Sequence, residues 1–214
     1  MIRIVIADDH TFMREGLKRI LDGADDIAVV GEAVDGFETL ALVRKGGFDL
    51  LLLDLSMPGR SGVELIRQLG DEMPRLPILV LTMHDEQQYA VRAIRAGARG
   101  YLTKESAGTQ LVSAIRKVAN GRPYISIEVA EQLAIDAMPL APQMPHKQLS
   151  DREFEVFSLL VTGKSITEIA ESLHLSVKTV STHKNRILVK MGLPSLAGLV
   201  QYAVAHHLLA PFQR

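Results

Sequence analysis

The sequence predicts an α/β domain built on a doubly wound, five-stranded parallel sheet, followed by a second, all-α domain. In the first half of the chain, five short apolar runs alternate with segments of helical apolar spacing, which is typical of a parallel sheet covered on both faces. Repeated prolines then interrupt the chain at 138–145, and the patterns after them are helical. We therefore expect domains at 1–121 and 148–214, joined by a connecting helix and a proline-rich linker at 122–147.

Composition narrows the class of protein. The 214 residues suit one or two domains, and a formal net charge of −1 conceals a basic stripe between Ser172 and Pro194 that indicates an interaction surface. The chain has no cysteine, which excludes disulfides and thiolate metal sites and is compatible with a reducing cytosol. Acidic residues appear too early for a signal peptide, and no apolar stretch could span a bilayer. We expect a cytoplasmic protein with no membrane contact.

The predicted strands and helices of the first domain follow from local patterns. The strands occupy residues 2–7, 27–33, 48–53, 77–82 and 99–103. The helix after the second strand has Phe37, Leu40 and Val43 on one face, and Ser61 with Glu64 forms a capping box that opens the next helix. A strand order of 2-1-3-4-5 places the reversal of winding, where such sheets bind ligands, between strands 1 and 3.

Beyond the sheet, the chain predicts helices with clear boundaries. Apolar spacing between Ile125 and Ala137 allows one connecting helix, and about ten extended linker residues after it would span roughly 30 Å. Capping boxes, a glycine stop and two opening serines then mark four helices, at Ser150 with Glu153, Gly163, Ser165 with Glu168, Ser176 and Ser195.

Polar side chains stand where four of the five predicted strands end. Asp8 and Asp9 follow the first strand, Asp54 follows the third, Thr82 ends the fourth and Lys104 follows the fifth. In the predicted strand order these positions face one crevice. Taken singly, each has an ordinary explanation as a helix cap, a strand end or a surface lysine. Their joint placement favours a binding site.

The chemistry of these residues indicates a cation and a phosphoryl group. Clustered carboxylates repel one another, and Mg²⁺ prefers oxygen ligands and bridges to phosphate oxygens. Beside bound Mg²⁺, an ionised Asp54 can attack phosphorus and form an acyl phosphate. Lys104 and Thr82 supply the cation and the hydroxyl donor that a transferring phosphoryl group needs.

Residues 1–121 resemble the receiver domain of two-component response regulators, which has a flavodoxin-like fold. The resemblance rests on Asp8-Asp9, Asp54-Leu55-Ser56-Met57-Pro58-Gly59, Leu81-Thr82, Gly97-Ala98 and Gly100-Tyr101-Leu102-Thr103-Lys104. It implies that Asp54 accepts a phosphoryl group from the phosphohistidine of a sensor histidine kinase.

The same resemblance implies roles for the residues around the acceptor aspartate. Asp9 and the acceptor would bind Mg²⁺ directly, Asp8 would help through water, and the Ser56 carbonyl would complete the site. Thr82 and Tyr101 would form a switch pair, in which the threonine moves toward the phosphoryl group and the tyrosine turns inward behind it.

Residues 149–208 resemble the LuxR-type helix-turn-helix domain. The matching motifs are Gly163-Lys164-Ser165, Glu168-Ile169-Ala170, Leu173-His174-Leu175-Ser176 and Lys178-Thr179-Val180. With the receiver resemblance, nearly the whole chain is covered and is identified as a member of the NarL/FixJ class. The resemblance implies double-stranded DNA as a partner.

Helical counting gives the third helix of this domain a core side and a DNA side. The core side holds Val177, Val180, Ile187, Leu188 and Met191, and the opposite side holds Lys178, Thr182, Asn185 and Val189, with Ser181 on its flank. Short polar side chains flanked by cations suit the major groove. We assign Ser181, Thr182 and Asn185 to base edges, and Lys178, Thr179, Arg186 and Lys190 to phosphates. Lys184 falls within the apolar sector, where a packed lysine stem is as consistent as a DNA contact.

We therefore expect a phosphorylation-dependent transcriptional regulator that acts on DNA as a homodimer. A phosphatase of the haloacid-dehalogenase type is a weaker hypothesis, because Ser56 stands where such enzymes carry a second aspartate and no substrate-cap insertion is visible. A receiver that signals by protein contacts alone is also disfavoured, since the acceptor set is intact. Catalysis is expected to be limited to phosphoryl transfer to Asp54 and slow hydrolysis there.

Overall fold

The computed structural model of the chain describes residues 1–57, 62–83, 87–138, 144–206 and 208. The chain divides into two compact units, Met1–Leu133 and Ala134–Arg214. We call them the first and the second unit and describe each by itself.

The first unit contains a parallel sheet with helices around it. Its strands are β1 (Ile2–Ala7), β2 (Ile27–Ala33), β3 (Leu50–Leu53), β4 (Ile78–Thr82) and β5 (Gly100–Thr103). Its helices are α1 (Thr11–Leu21), α2 (Gly36–Lys45), α3 (Gly62–Glu72), α4 (Gln87–Ala96) and α5 (Ala107–Ala119), with a 3-10 turn at Lys104–Ser106, and α6 (Ile127–Asp136) begins in this unit. The second unit contains a 3-10 turn at Pro145–Gln148, α7 (Asp151–Val161), α8 (Ile166–Ser172), α9 (Val177–Met191) and α10 (Leu196–Ala205).

The sheet has the predicted order, β2-β1-β3-β4-β5, with every neighbouring pair parallel. Successive side chains of a strand point to opposite faces. Ile4 and Ile6 of β1 therefore pack on the side of α1 and α5, whereas Val5 and Ala7 pack on the side of α2, α3 and α4. Both faces of the sheet are buried, so the predicted α/β class with a parallel sheet is confirmed.

The predicted strands agree with the observed ones to within two residues, but the three apolar residues predicted on one face of α2 are not equally buried. Leu40 and Val43 of α2 are buried, whereas Phe37 is 68% exposed. Its backbone N–H donates to the carboxylate of Asp35, the residue that caps α2, at 2.8 Å. Phe37 therefore lies in the first turn, outside the buried stripe that Thr39, Leu40 and Val43 form.

Three predicted features lie outside the described residues. They are Ser61 of the capping box with Glu64, the Pro58-Gly59 part of the acceptor motif, and residues 139–143 of the linker. Pro145, which we expected to be extended, instead begins a 3-10 turn. Its fixed φ angle suits the first position of a helical turn.

The first part of the predicted connecting segment, residues 122–133, belongs to the first unit and packs beside β5, and we call it the docked segment. The backbone N–H of Tyr101 donates to the carbonyl of Tyr124 at 2.8 Å, and the N–H of Tyr124 donates to Arg99 at 3.0 Å. Tyr124 thus pairs in parallel with Gly100. A Cβ atom on Gly100 would lie 3.2 Å from the Cβ of Tyr124 and 2.7 Å from a Leu79 methyl group, so glycine permits this close approach.

Helix α6 fixes the docked segment by apolar contacts. Val129 is buried against Ala90 and Val91 of α4, and Leu133 and Ile125 pack at the margin of the same cluster. The predicted helix over this region is confirmed at Ile127–Asp136. The segment after α5 is therefore structured up to α6 and is packed on the sheet domain.

The second unit is helical, as predicted, and its capping signals are confirmed. Ser150 with Glu153 and Ser165 with Glu168 form reciprocal capping boxes, and Gly163 adopts a left-handed φ of 92° after α7. The core is built from buried apolar side chains of all four helices, including Phe154, Phe157, Leu160, Ile169, Val180, Ile187, Leu199 and Ala203.

The predicted burial of Val177 is wrong, since it is 50% exposed. It is the first residue of α9, next to the Ser176 cap, and the helix reaches the core one turn later at Val180. Helical counting gives the direction of a side chain but not the position at which packing begins.

In the described part of the chain, no single helix has the length and apolar character needed to cross a membrane. One helix pair, α9 with α10, meets that test only when the two are joined across a 58° bend.

Candidate functional site

The carboxyl edge of the sheet collects the polar residues that the sequence singled out. Asp8 and Asp54 directly follow β1 and β3, which are neighbours, and the Asp54 N–H donates to the carbonyl of Ala7 at 2.8 Å. Thr82 ends β4 opposite Thr103 of β5. The side chains of Asp8, Asp54 and Thr82 are almost fully buried.

Lys104 joins the two buried carboxylates. Its Nζ lies 2.7 Å from Asp8 Oδ2 and 2.8 Å from Asp54 Oδ2. The other Asp54 oxygen, Oδ1, accepts the backbone N–H of Ser56 at 3.1 Å. The Asp54 carboxylate is thus held at both oxygens at the bottom of the crevice.

The charges in this crevice do not balance. Burial raises the pKa of the Asp54 carboxyl, and the Lys104 ammonium offsets this only in part. Burial alone would lower the pKa of Lys104, but the charge and hydrogen bond of Asp54, together with those of Asp8, outweigh it and raise that pKa. One charged lysine therefore faces two buried carboxyls, and a further cation would favour their ionised forms.

Asp9 lies at the rim of the crevice, beside a residue that the sequence prediction missed. Its Oδ1 is 2.7 Å from Nδ1 of His10, and the same nitrogen is 3.3 Å from Asp8 Oδ1. The signal was present in the sequence, because the imidazole of histidine is a common metal ligand and His10 directly follows the two aspartates.

Arg14 of α1 was also missed, and it positions the backbone of the site. Its Nη1 donates to the Asp8 carbonyl at 2.7 Å, and its Nε donates to Glu32 of β2 at 3.0 Å. The Asp8 N–H donates to the carbonyl of Ala33 at 3.1 Å. Both backbone groups of Asp8 are therefore fixed, which holds its carboxylate in place.

The donor set fits a divalent cation. One ligand atom each from Asp8, Asp9, His10 and Asp54 lies within 4.8 Å of the others. Three of the four are carboxylate oxygens, the donors that Mg²⁺ prefers. The predicted role of the Ser56 carbonyl stays a prediction.

Tyr101, the second predicted switch residue, lies on β5 away from the acidic crevice. It is half-buried and packs between the α4 side of the sheet and the apolar cluster around Val129. A cavity of about 520 Å³ adjoins it, lined also by Ser106, Tyr124 and Glu128. The docked segment therefore contacts the immediate surroundings of the predicted switch.

Helix α9 presents most of the predicted DNA-contacting residues to solvent. Lys178, Thr182, Asn185, Arg186 and Lys190 are exposed. Thr179, Ser181 and Lys184 are half-buried, which agrees with the predicted position of Ser181 on the flank of the outward face and of Lys184 within the apolar sector. Both interpretations of Lys184 stay open.

Three of these α9 side chains already have partners within the second unit. The Thr179 hydroxyl lies 2.7 Å from the Ser176 hydroxyl, and the Thr182 hydroxyl donates to the carbonyl of Lys178 at 2.9 Å. Lys190 Nζ lies 2.6 Å from Oε2 of Glu153. Lys190 therefore stabilises the fold, and its contact with DNA phosphate stays a prediction.

Two family profiles match the chain, one on each side of the linker. The family described as response regulator receiver domain matches residues 4–116, and the family described as bacterial regulatory proteins, luxR family, matches residues 147–203.

Known proteins resemble the chain along almost its full length. Oxygen regulatory protein NreC of Staphylococcus aureus is 40% identical over 215 aligned positions, which cover 97% of this chain and 99% of NreC. RcsB of Salmonella enterica serovar Typhimurium, solved bound to the promoter rprA with the phosphomimetic BeF₃⁻, is 29% identical, with a TM-score of 0.65 and coverage of 96% of this chain and 100% of RcsB. A LuxR-family response regulator from Aurantimonas sp. SI85-9A1 is 37% identical, with a TM-score of 0.58 over 63% of this chain and 96% of that protein.

The sheet order, the helix-turn-helix unit, both family matches and the full-length relatives agree. The chain belongs to the two-component response regulators, in the NarL/FixJ class that joins a receiver domain to a LuxR-type DNA-binding domain.

Proposed function

We propose that this response regulator accepts a phosphoryl group on Asp54 from a sensor histidine kinase and thereby controls DNA binding by α9. The observation that carries the proposal is the buried Asp54 carboxylate, held 2.8 Å from the Lys104 ammonium beside further acidic donors. In the transfer, an Asp54 oxygen attacks phosphorus and a P–O bond forms. The P–N bond to the kinase histidine breaks, and the histidine nitrogen keeps the electron pair and takes up a proton from solvent water.

A divalent cation, for which Mg²⁺ is sufficient, would be held at this site by Asp8, Asp9, Asp54 and the Ser56 carbonyl. When bound, it supplies positive charge to the carboxylates and to phosphoryl oxygens. Arg14 holds the Asp8 backbone, and the Ser56 N–H orients Asp54. These contacts preorganise the acceptor before the phosphodonor arrives.

Lys104 and Thr82 provide the contacts that distinguish the phosphorylated state. Phosphorylation adds about −1.5 to −2 charge and three acceptor oxygens. Lys104 exchanges one carboxylate partner for the phosphoryl group, and the Thr82 hydroxyl donates to it. A shift of the population from 1:99 to 99:1 needs about 5.5 kcal/mol of differential contacts, which such charge-assisted bonds supply in large part. Slow hydrolysis of the acyl phosphate resets the receiver.

The signal leaves the receiver through β5 and the docked segment. Thr82 and Thr103 are paired across β4 and β5, and Tyr101 lies on the same strand. When Thr82 moves toward the phosphoryl group, the Tyr101 ring turns inward. That movement changes the surface on which α6 rests, because Tyr101 packs against the cluster that contains Val129.

The second unit binds double-stranded DNA with α9 in the major groove. Its exposed face carries Asn185 and Thr182 between cations, the arrangement that reads base edges and holds phosphates. RcsB, which resembles the chain along its length, has been solved on promoter DNA. Because a single short reading helix gives limited affinity, we propose that two copies of the chain bind paired half-sites as a homodimer.

The acceptor is tested by labelling with acetyl phosphate and Mg²⁺, followed by intact-protein mass spectrometry. The wild type gains one phosphoryl group, and Asp54→Asn gains none. Asp49→Asn is a matched control, since Asp49 lies next to the opposite end of β3 and pairs with Arg3 at the surface. Continued labelling of Asp54→Asn would identify a different acceptor.

A further inference from the structure

The side chain of His10 is directed to the acidic crevice although its backbone position is that of a helix cap. His10 is the N-cap residue of α1, but its side chain accepts no hydrogen bond from the described first turn. Instead, its Nδ1 lies 2.7 Å from Asp9 Oδ1 and 3.3 Å from Asp8 Oδ1.

The backbone holds His10 in this place while the imidazole keeps room to turn. The His10 N–H donates to Asp8 Oδ1 at 2.8 Å, which ties its backbone to the buried aspartate. The His10 side chain itself is 63% exposed at the rim. Most of the imidazole therefore lies in solvent and is accessible to an ion that enters the crevice.

The distances in the crevice suit coordination by His10. Its ligand nitrogen and one oxygen each of Asp8, Asp9 and Asp54 lie within 4.8 Å of one another. All four residues would therefore be placed to hold one divalent cation, with His10 adding a nitrogen donor to three carboxylates.

An imidazole nitrogen distinguishes between classes of cation. Mg²⁺ takes oxygen ligands and retains water, whereas divalent transition metals also accept nitrogen and bind N/O sites more tightly. A site of three carboxylates serves Mg²⁺. The same site with His10 favours a transition ion.

We propose that His10 is a ligand of the receiver cation site and makes that site prefer divalent transition metals, such as Mn²⁺, over Mg²⁺. This inference rests on the proposed function, because it adds a donor to the cation site assumed there. The residue that follows the aspartate pair, His10, would then determine whether the site binds Mn²⁺ or Mg²⁺ more tightly.

The test compares the full-length wild type with His10→Phe, which keeps a ring of similar size and removes both nitrogens. Isothermal titration with Mn²⁺ and with Mg²⁺ measures the two affinities, and pulsed EPR of the Mn²⁺ complex detects coupling to a bound ¹⁴N nucleus. We expect His10→Phe to lower the Mn²⁺ affinity about tenfold or more, to change the Mg²⁺ affinity less than about twofold, and to remove the nitrogen coupling.

His174→Asn serves as the control for manganese binding at other histidines, because His174 lies in the second unit and asparagine tolerates its φ of 52°. This control must retain the wild-type Mn²⁺ affinity and spectrum. An equal loss of both affinities in His10→Phe would show that His10 only orients Asp9, and would overturn the proposal. A wild-type spectrum without nitrogen coupling would do so as well.

The experiment separates this inference from the proposed function. If His10→Phe leaves metal preference unchanged but Asp54 is still labelled in Mg²⁺, only the histidine ligand is rejected. If Asp54 is not labelled with either cation, the phosphoacceptor assignment itself fails.

Discussion

The exposure of Lys190 was predicted correctly, but its ion pair within the second unit was not predicted. Its position on α9 makes it exposed, as helical counting predicted, yet its ammonium pairs with Glu153. Glu153 is the third residue of α7 and closes the capping box by accepting the Ser150 N–H at 2.8 Å. Lys190 therefore links the reading helix to the start of α7.

We predict that Lys190→Met lowers the stability of the second unit by about 1 kcal/mol. Glu153 is buried and loses its charged partner, but the side chain of Lys190 is partly exposed, so the loss is reduced by solvent screening. Differential scanning calorimetry should show a transition lowered by roughly 4–8 °C, as expected for a unit of this size. Lys178→Met is the matched control on the same helix, and an equal shift there would contradict the assignment.

The same pair gives a pH dependence whose sign follows from Glu153. Burial would raise the pKa of Glu153, but the hydrogen bond from Lys190 and the bonds from Ser150 outweigh it, and the pKa is lowered from 4.5. A depressed carboxyl pKa contributes stability above the unfolded value, and the contribution is lost as pH falls through the folded value. The difference between wild type and Lys190→Met should therefore shrink below about pH 4.5.

At the scale of the elements, the sequence predicted what local rules determine. The five strands, the capping boxes of α7 and α8, and the opening of α9 at Ser176 depend on neighbouring residues alone, and they agree with the structure. Val177 was wrongly predicted to face the core, and Phe37 is exposed although it was placed on the same face as Leu40 and Val43. Both lie in the first turn of a helix, where burial depends on where the packing partner begins.

The carboxyl edge of the sheet was predictable because topology alone brings Asp8, Asp54 and Lys104 together. The tertiary contacts around this edge were not predictable from the sequence. The bond from Arg14 to the Asp8 carbonyl depends on how α1 crosses the sheet, and the pairing of Tyr124 beside β5 joins residues far apart in the chain. Such contacts follow from tertiary packing, which periodicity does not encode.

Helix α9 gives a prediction that separates base reading from phosphate binding. Asn185→Ala should reduce the preference for the target sequence by ~1–3 kcal/mol at one base position, because an amide reads a base edge. Lys178→Ala should weaken binding to all sequences alike and reduce the slope of log K against log salt by about 0.9.

Fluorescence anisotropy on target and scrambled duplexes over a salt series measures both effects. Val189→Ala, at an exposed apolar position of the same face, controls for general disturbance of the helix. Identical behaviour of the Asn185 and Lys178 variants would contradict the sorting of the contacts.

At the scale of the whole molecule, the docked segment connects the receiver to the rest of the chain. Val129 is 5% exposed against α4, whereas Ile127 of the same helix is 74% exposed. Helix α6 extends to Asp136, which pairs with Lys147 near the start of the second unit. Because α6 crosses from one unit to the other, we expect its release from the receiver to alter the restraint on the DNA-binding unit.

We predict that Val129→Asp raises DNA binding by the unphosphorylated protein toward the level of the phosphorylated protein. A buried carboxylate without a cationic partner disfavours docking, so α6 leaves the receiver surface. Hydrogen exchange should speed up at residues 123–133, and anisotropy should report the gain in DNA binding. Ile127→Asp places the same charge at an exposed position and should change neither. Faster exchange without tighter DNA binding would show that docking and DNA binding are not coupled.

The pairing of Tyr124 with β5 also bears on what an activated receiver must do next. If Tyr124 dissociates from β5, backbone N–H and C=O groups of that strand lose their partners and face solvent. An unpaired strand edge of this kind can pair with a strand of another molecule. An activated receiver without a partner would then be prone to aggregate through this edge, whereas a second activated copy could cover it. Avoiding aggregation would thus favour the pairing of newly phosphorylated molecules.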